Sequence, residues 1–245
     1  MNVSYLLRRY EAGDREFAGV DLRGADLAGI TLIGVNLEGA NLTGANLSRA
    51  FLIKSNLGGA LLNWANLKFI KLNEGCLVDA DLTKANLSGA FLVKANLAKS
   101  KLSGANLSYV NLRGGSLQCA NLCGATMQGI NLRGANLSGA NLNWANLGGA
   151  RLTGATLHGA FLNGVNLSEA FLNGVDLSGV DLSSVDLSAA KLSSTNSQAA
   201  NLANTHFFEA NLRGANLAEA DLLRSNLANA ALQGDKFAWG SLIAF

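Results

Sequence analysis

An apolar residue recurs at every fifth position along almost the whole chain. With c as the centre of each five-residue unit, the positions from Leu22 to Leu242 in steps of five give 45 centres, and 41 of them are Leu. The exceptions are Met127, Ser197, Phe207 and Phe237, and Phe17 extends the register one unit earlier. No insertion or deletion breaks the run. Position c−2 is usually Ala, with Val, Ile or Ser as variants (Ala25, Ile30, Val35, Ala40). Position c−1 is usually Asn or Asp (Asp21, Asp26, Asn36, Asn41), c+1 varies most, and c+2 holds 22 of the 28 glycines. A period of five matches neither a 3.6-residue helix nor a long strand of period two. It matches a short extended segment followed by a turn. Alternation within the unit puts c−2 and c on one side and c−1 and c+1 on the other. The side carrying Ala and Leu is the inside, and Gly at c+2 marks a corner where a type II turn needs φ > 0. Each unit is then one wall of a coil, and the coils must stack to satisfy their backbone groups.

The motif A-(N/D)-L-x-G, as in Ala40-Asn41-Leu42-Thr43-Gly44 and Ala135-Asn136-Leu137-Ser138-Gly139, resembles the pentapeptide-repeat family over roughly residues 17–242. The start of the chain, Met-Asn-Val followed by Leu-Leu-Arg-Arg-Tyr, is similar to cyanobacterial members. The resemblance implies an all-β fold, a right-handed quadrilateral parallel β-helix (a solenoid) with 20 residues per coil. About eleven coils at a strand spacing of ~4.8 Å make a rod roughly 50 Å long. Stacked coils leave no place for Pro in the ladder, and the chain has none. Asn and Asp at c−1 align every 20 residues, so side-chain amide ladders are expected.

The ends need caps, because an open β-helix end exposes strand edges and Leu. Residues 2–12 read as a short amphipathic helix with Val3, Leu6, Leu7 and Tyr10 on one face and Gly13 as its stop. The expected organisation is a helical cap at 1–16, the β-helix at 17–236, and a terminal segment at 237–245. In that last segment Phe237, Trp239, Leu242, Ile243 and Phe245 either cap the final coil or form a dimer contact. The chain is accordingly read as a monomer or an end-to-end homodimer.

A 20-residue coil assigns every outward side chain to a face. Positions whose number modulo 20 is 10 to 14 carry Lys54, Lys71, Lys94, Arg113, Arg133, Arg151, Lys191 and Arg213 against a single acid within the repeats, Glu74. The whole chain carries a net charge of only +2. On the same wall Phe51, Ile53, Phe91 and Val93 form an outward apolar group framed by Lys54, Lys71 and Lys94. This patch is the candidate partner-binding site, and Arg113, Arg133, Arg151, Lys191 and Arg213 continue the basic face. The alternative is uneven scatter of surface charge with apolar residues packing within their own ladder. Trp64 and Trp144 share a corner column and the segment LNWANL, which an internal duplication explains. Asp176, Asp181 and Asp186 are adjacent in sequence but fall on three different walls, so they do not converge on a metal ion.

Composition closes other routes. Cys76, Cys119 and Cys123 have no disulfide or zinc spacing. No stretch approaches ~18 uninterrupted apolar residues, and the first residues lack the apolar core of a signal peptide, so a cytoplasmic location off the membrane is expected. Two His and no nucleophile, phosphate-loop or metalloprotease motif argue against an enzyme, and no cofactor is expected. Polar residues at Thr195 and Ser197 predict a local distortion over Ser193–Ala199. The leading reading is a rigid scaffold or interaction module for an unknown protein partner. One alternative is a DNA-mimicking modulator of DNA gyrase, as in some relatives, which needs a densely acidic surface. The other is a weak nucleic-acid binder through the basic face, where eight charges along the rod are sparse and stacking aromatics few.

Overall fold

The computed structural model describes residues 1–237. It opens with helix α1, Val3–Glu11, whose Asn2 cap accepts a hydrogen bond from the Tyr5 amide at 2.8 Å. Arg8 and Arg9 occupy its last turn, where cations complement the helix dipole. Gly13 stops it with φ 97°, a value that Cβ-bearing residues avoid. Leu6 is fully buried on the first coil, and Val3, Leu7 and Tyr10 pack partly buried around it. The Tyr10 hydroxyl accepts from the Ile33 amide at 3.0 Å, and the Arg15 guanidinium stacks on its ring at 3.9 Å. Among the described residues no helix is long and apolar enough to cross a membrane.

From Glu16 onward the chain forms parallel bridges, each joining residues 20 apart: Glu16 to Asn36, Asp21 to Asn41, Asp26 to Asn46, Thr31 to Phe51. The isolated bridges all fall at c−1, so four parallel ladders run along the stack, with Thr156 to Asp176 and Phe161 to Asp181 unbridged. The extended part of each unit is too short to count as a strand, except at β1 (Asn216–Leu217) and β2 (Lys236–Phe237), which pair in parallel. The repeating bonds are those of Leu42 N to Leu61 O at 2.7 Å, Leu61 N to Ala40 O at 2.9 Å and Gly44 N to Asn63 O at 2.9 Å. Most corners close with an i to i+3 bond, such as Ala45 N to Leu42 O at 3.0 Å, whereas the Val35 amide donates to the Ser55 hydroxyl at 3.3 Å. The Leu residues at c from Leu22 to Leu222 and most of the small residues at c−2 are buried and form one continuous core, with Leu227 and Leu232 partly buried against it.

The Asn or Asp at c−1 does more than line up in a ladder. Its Oδ1 accepts from the amide two residues on, as from Gly58 to Asn56 at 3.0 Å and Ser138 to Asn136 at 2.9 Å, which fixes the entry to the turn. Side-chain bonds between coils also occur, Asn66 to Asn46 at 3.0 Å and Asn216 to Asn196 at 3.0 Å.

The corner geometry is uniform. Among the described residues, position c+2 has φ between 53° and 79° at the 22 glycines and at 22 other residues, among them Trp64, Phe69, Tyr109 and Trp144. A left-handed conformation costs a Cβ-bearing residue about 1–2 kcal/mol, and the four surrounding ladders hold it there regardless.

The distortion expected over Ser193–Ala199 does not occur. Asn196 is bridged to both Asp176 and Asn216, and the Ser197 amide reaches Asn216 O at 2.8 Å. The buried Thr195 hydroxyl donates to Leu192 O at 2.9 Å, so it leaves no unpaired group to force the coil apart. Ser55, Thr205 and Ser225 do the same toward carbonyls of the coil below, at 3.0, 2.8 and 3.0 Å.

Two outcomes follow. Ala199→Gly, at φ 53°, relieves corner strain and raises stability by about 1 kcal/mol. Gly129→Ala lowers it, because φ is 62° and a Cβ there lies 2.7 Å from the Tyr109 ring. Chemical denaturation of the two variants reads both signs. The capping carboxylates set an acid limit. The Arg23 side chain and amide hold Asp21 down to about 2 from 3.8, and hydrogen bonds from Ser178 lower Asp176. A carboxyl with a lowered folded pKa stabilises fully above its unfolded value and loses this as pH falls through the folded one. Melting temperature therefore holds down to near pH 4 and declines between 3.8 and about 2, with a shallower decline in Asp21→Asn.

Candidate interaction surface

The ladder arithmetic places the wall residues as a set. Thr31, Phe51, Lys71, Phe91, Asn111, Asn131, Arg151, Phe171, Lys191 and Asn211 are bridged one to the next, so their side chains share one outward row. Phe51 and Phe91 lie one coil either side of Lys71. The Lys71 ammonium sits 4.2 Å from the centre of the Phe51 ring, a cation–π contact that half-buries both. Phe91 stays 44% exposed, while Ile53 and Val93 are half-buried beside the row. Lys54 and Lys94 stand at corners with φ 59° and 57° and are exposed. Lys54 reaches Glu74, the wall's acid, at 3.8 Å with both side chains more than half exposed. Such a pair contributes ~0–1 kcal/mol. The upper part of the patch is thus partly engaged with itself.

The lower part is not. Arg113 and Arg133 occupy equivalent positions one coil apart, and Arg151 and Lys191 flank Phe171 directly in the row. With Arg213 beyond them, all five basic residues are exposed, and among the described residues none makes an ion pair. Phe171 is 40% exposed. Sequence reasoning missed it, although its number places it in the column of Phe51 and Phe91. The wall is bordered at one corner by the exposed acids Glu169 and Glu209.

A second set of aromatics stands at the corners. Trp64 and Trp144, expected to share a column, are 61% and 63% exposed, and Phe69 and Tyr109 occupy the next corner. Phe69, Tyr109 and Trp144 each lie over the glycine 20 residues later, Gly89, Gly129 and Gly164, where an added Cβ would meet the ring at 2.5 to 2.7 Å. The ring covers a corner that has no side chain of its own. Pairing aromatic and glycine at a separation of 20 would have revealed this in the sequence. Shallow grooves of about 440 and 250 Å³ adjoin Phe69 and Tyr109, lined by amides, Ser and Gly with Arg49, Lys68 and Glu169. Among the described residues no three of His, Cys, Asp and Glu converge as metal ligands, and Cys76, Cys119 and Cys123 are free thiols. Of the terminal cap or dimer residues, Phe237 is bridged through its backbone to Leu217. Trp239, Leu242, Ile243 and Phe245 lie outside the described residues.

The family model described as pentapeptide repeats matches in 8 copies, in segments running from residue 21 to 234. Among solved structures, HetL is a pentapeptide-repeat protein involved in heterocyst differentiation regulation in the cyanobacterium Nostoc sp. strain PCC 7120. It is 33% identical, with 96% of each chain covered and a TM-score of 0.75. The Nostoc protein alr5209, also of this kind, is 36% identical over 41% of this chain and 80% of its own, with a TM-score of 0.39. A comparison with curated protein sequences found no match.

Proposed function

The chain belongs to the pentapeptide-repeat family, whose fold is a right-handed β-helix, and from this we propose that it is a non-enzymatic rod that presents one flat wall to a protein partner. In this reading residues 1–16 are the cap and 17–236 form about eleven four-walled coils. Residues 237–245 close the far end or join a second copy. The wall is the row from Phe51 to Lys191 with its flanking residues Ile53, Lys54, Val93, Lys94, Arg113, Arg133 and Arg213.

The observation that carries the reading is the unpaired basic lower half of that wall around the exposed Phe171, repeated in outline above by Phe51, Lys71 and Phe91. Exposed aromatics set among cations are a combination found at protein interfaces. The basic sign suits a partner with acidic side chains and is opposite to what a mimic of duplex DNA requires. The resemblance over nearly the full chain to HetL, a protein of differentiation control, supports a regulatory rather than a metabolic setting.

The test is affinity capture from the native host with the wild-type chain, Phe51→Ala/Phe91→Ala, and Arg151→Glu/Lys191→Glu. A partner retained by the wild type and lost from one or both variants is expected, with unchanged melting temperatures. Equal recovery of every partner by all three proteins overturns the assignment of this wall.

A further inference from the structure

The ladders are continuous through the described residues except at one junction. On one side of it Leu152 N meets Phe171 O at 2.8 Å, and on the other Leu167 N meets Asp186 O at 2.8 Å. Between these, the amides of Leu157 and Leu162 do not reach the carbonyls of Asp176 and Asp181, and the amides of Asp176 and Asp181 do not reach those of Ala155 and Ala160. The bridges Thr156 to Asp176 and Phe161 to Asp181 are not formed, although the c−1 positions on either side are bridged. Just past the gap, Asp186 N to Val165 O is stretched to 3.4 Å. Two adjoining ladders are open, while the other two keep their bridges at the same level, Arg151 to Phe171 and Asn166 to Asp186, with the corner bond of Gly154 to Asn173 O already lost, so the gap is a wedge. It encloses about 260 Å³ between Ala155, Thr156 and His158 of one coil and Asp176, Ser178 and Val180 of the next. At ~30 Å³ each, several waters fit there. The inward Ala155 and Val180 are 7% and 8% exposed, whereas Ala135 and Ala200 in the same two columns are 1% exposed.

The cause lies inside. Val175, Val180 and Val185 occupy three successive c−2 positions that are mostly Ala elsewhere, and Val165 precedes them. Extra methyls in a filled core force the backbone to shift. The coil above stays joined, with Asn196 N to Val175 O at 3.1 Å and Asn201 N to Val180 O at 3.0 Å, so the displacement appears below. The backbone groups released face a wedge that admits water, which offsets much of the cost of unpairing them. Opening therefore exchanges backbone–backbone bonds and Val crowding for backbone–water bonds and relaxed packing.

We propose that this seam is a hinge. The rod bends about the ladders through Phe171 and Asp186, and the lips carrying His158 and Asp176 separate and meet. The row containing Arg151, Phe171 and Lys191 lies on the pivot and keeps its register, while the N-terminal part of the same wall, with Phe51 and Phe91, swings relative to it. A straight, uniformly stiff rod has no such freedom.

A cysteine pair across the lips, Gly159→Cys/Gly179→Cys, tests this with the three native cysteines changed to Ser. Closed coils place these Cα atoms ~4.8 Å apart, inside the ~4.4–6.8 Å span a disulfide bridges. The corner φ is tolerated by a cysteine, as Cys119 at φ 55° shows. The control is Gly139→Cys/Gly159→Cys, one junction below, where the ladder is shut. The seam pair is expected to cross-link to completion but about tenfold more slowly than the control, the closed form being a minor state of about 10%. Val175→Ala/Val180→Ala brings its rate to the control's. Hydrogen exchange on the uncross-linked chain gives an independent reading, with faster exchange of residues 157–164 than of 137–144. Equal rates for the two pairs mean a closed seam, no cross-link at all means a fixed gap, and an unaltered rate in the Val variant removes the cause assigned; each overturns the hinge. Equal exchange in the two segments does the same.

Discussion

The hydrogen bond from the Leu amide of one coil to the c−1 carbonyl of the next, at 2.7–2.9 Å along most of the stack, governs the rest of the molecule. It sets the rise per coil, so each Leu lies over the Leu 20 residues before it and each outward side chain over its own counterpart. Its partner bond, from the c−1 amide back to a c−2 carbonyl, completes the ladder. An uninterrupted count of five is the sequence cost of this arrangement, since a single inserted residue would carry every later Leu from the core to the surface.

That backbone framework is strong enough to override local preference at the corners and weak enough to yield to volume in the core. Among the described residues, 22 other than glycine are held at positive φ, including two Trp whose rings stand in solvent. The strain is spread among many corners, and several of the bulky side chains recover contact by lying over a glycine of the next coil. Inside, the tolerance is smaller. Isolated large c−2 residues such as Ile70 and Ile130 are buried without disturbing the ladder. Three Val residues around one coil coincide with the one place among the described residues where the bridges part.

The same regularity shapes what the protein can offer to others. Away from the open seam, a filled stack of coils has grooves only as deep as the gaps between neighbouring side chains, so the proposed recognition is spread along a row rather than gathered in a pocket. Charge on such a row is additive and hard to screen internally, because stacked neighbours share a sign as readily as they oppose it. Arg113 over Arg133 is one such case, whereas Lys54 and Glu74 compensate one another.

The inside, the outside and the corner of each unit were legible from the spacing of Leu, Asn and Gly, because a strict repeat leaves one periodic way to bury the apolar positions, while the 20-residue coil came from the family resemblance. The helix at the start was legible as well, from Val3, Leu6, Leu7 and Tyr10 on one face and Gly13 at its end. Membership of Phe51, Lys71, Phe91 and Arg151 in one row followed from arithmetic, and Phe171 was available to the same arithmetic. Three things were decided only in three dimensions. Whether Lys71 stands free or stacks on Phe51 depends on rotamers, which the repeat does not specify. Thr195 looked disruptive as a polar residue in a core, yet its hydroxyl found the Leu192 carbonyl, a partner visible only once the turn is built. The consecutive Val residues read as ordinary variants of Ala, and their effect arises from summed volume within one closed coil. Sequence determines which side chains share a coil and a column. Tertiary packing decides whether their volumes and polar groups fit the fixed rise between coils.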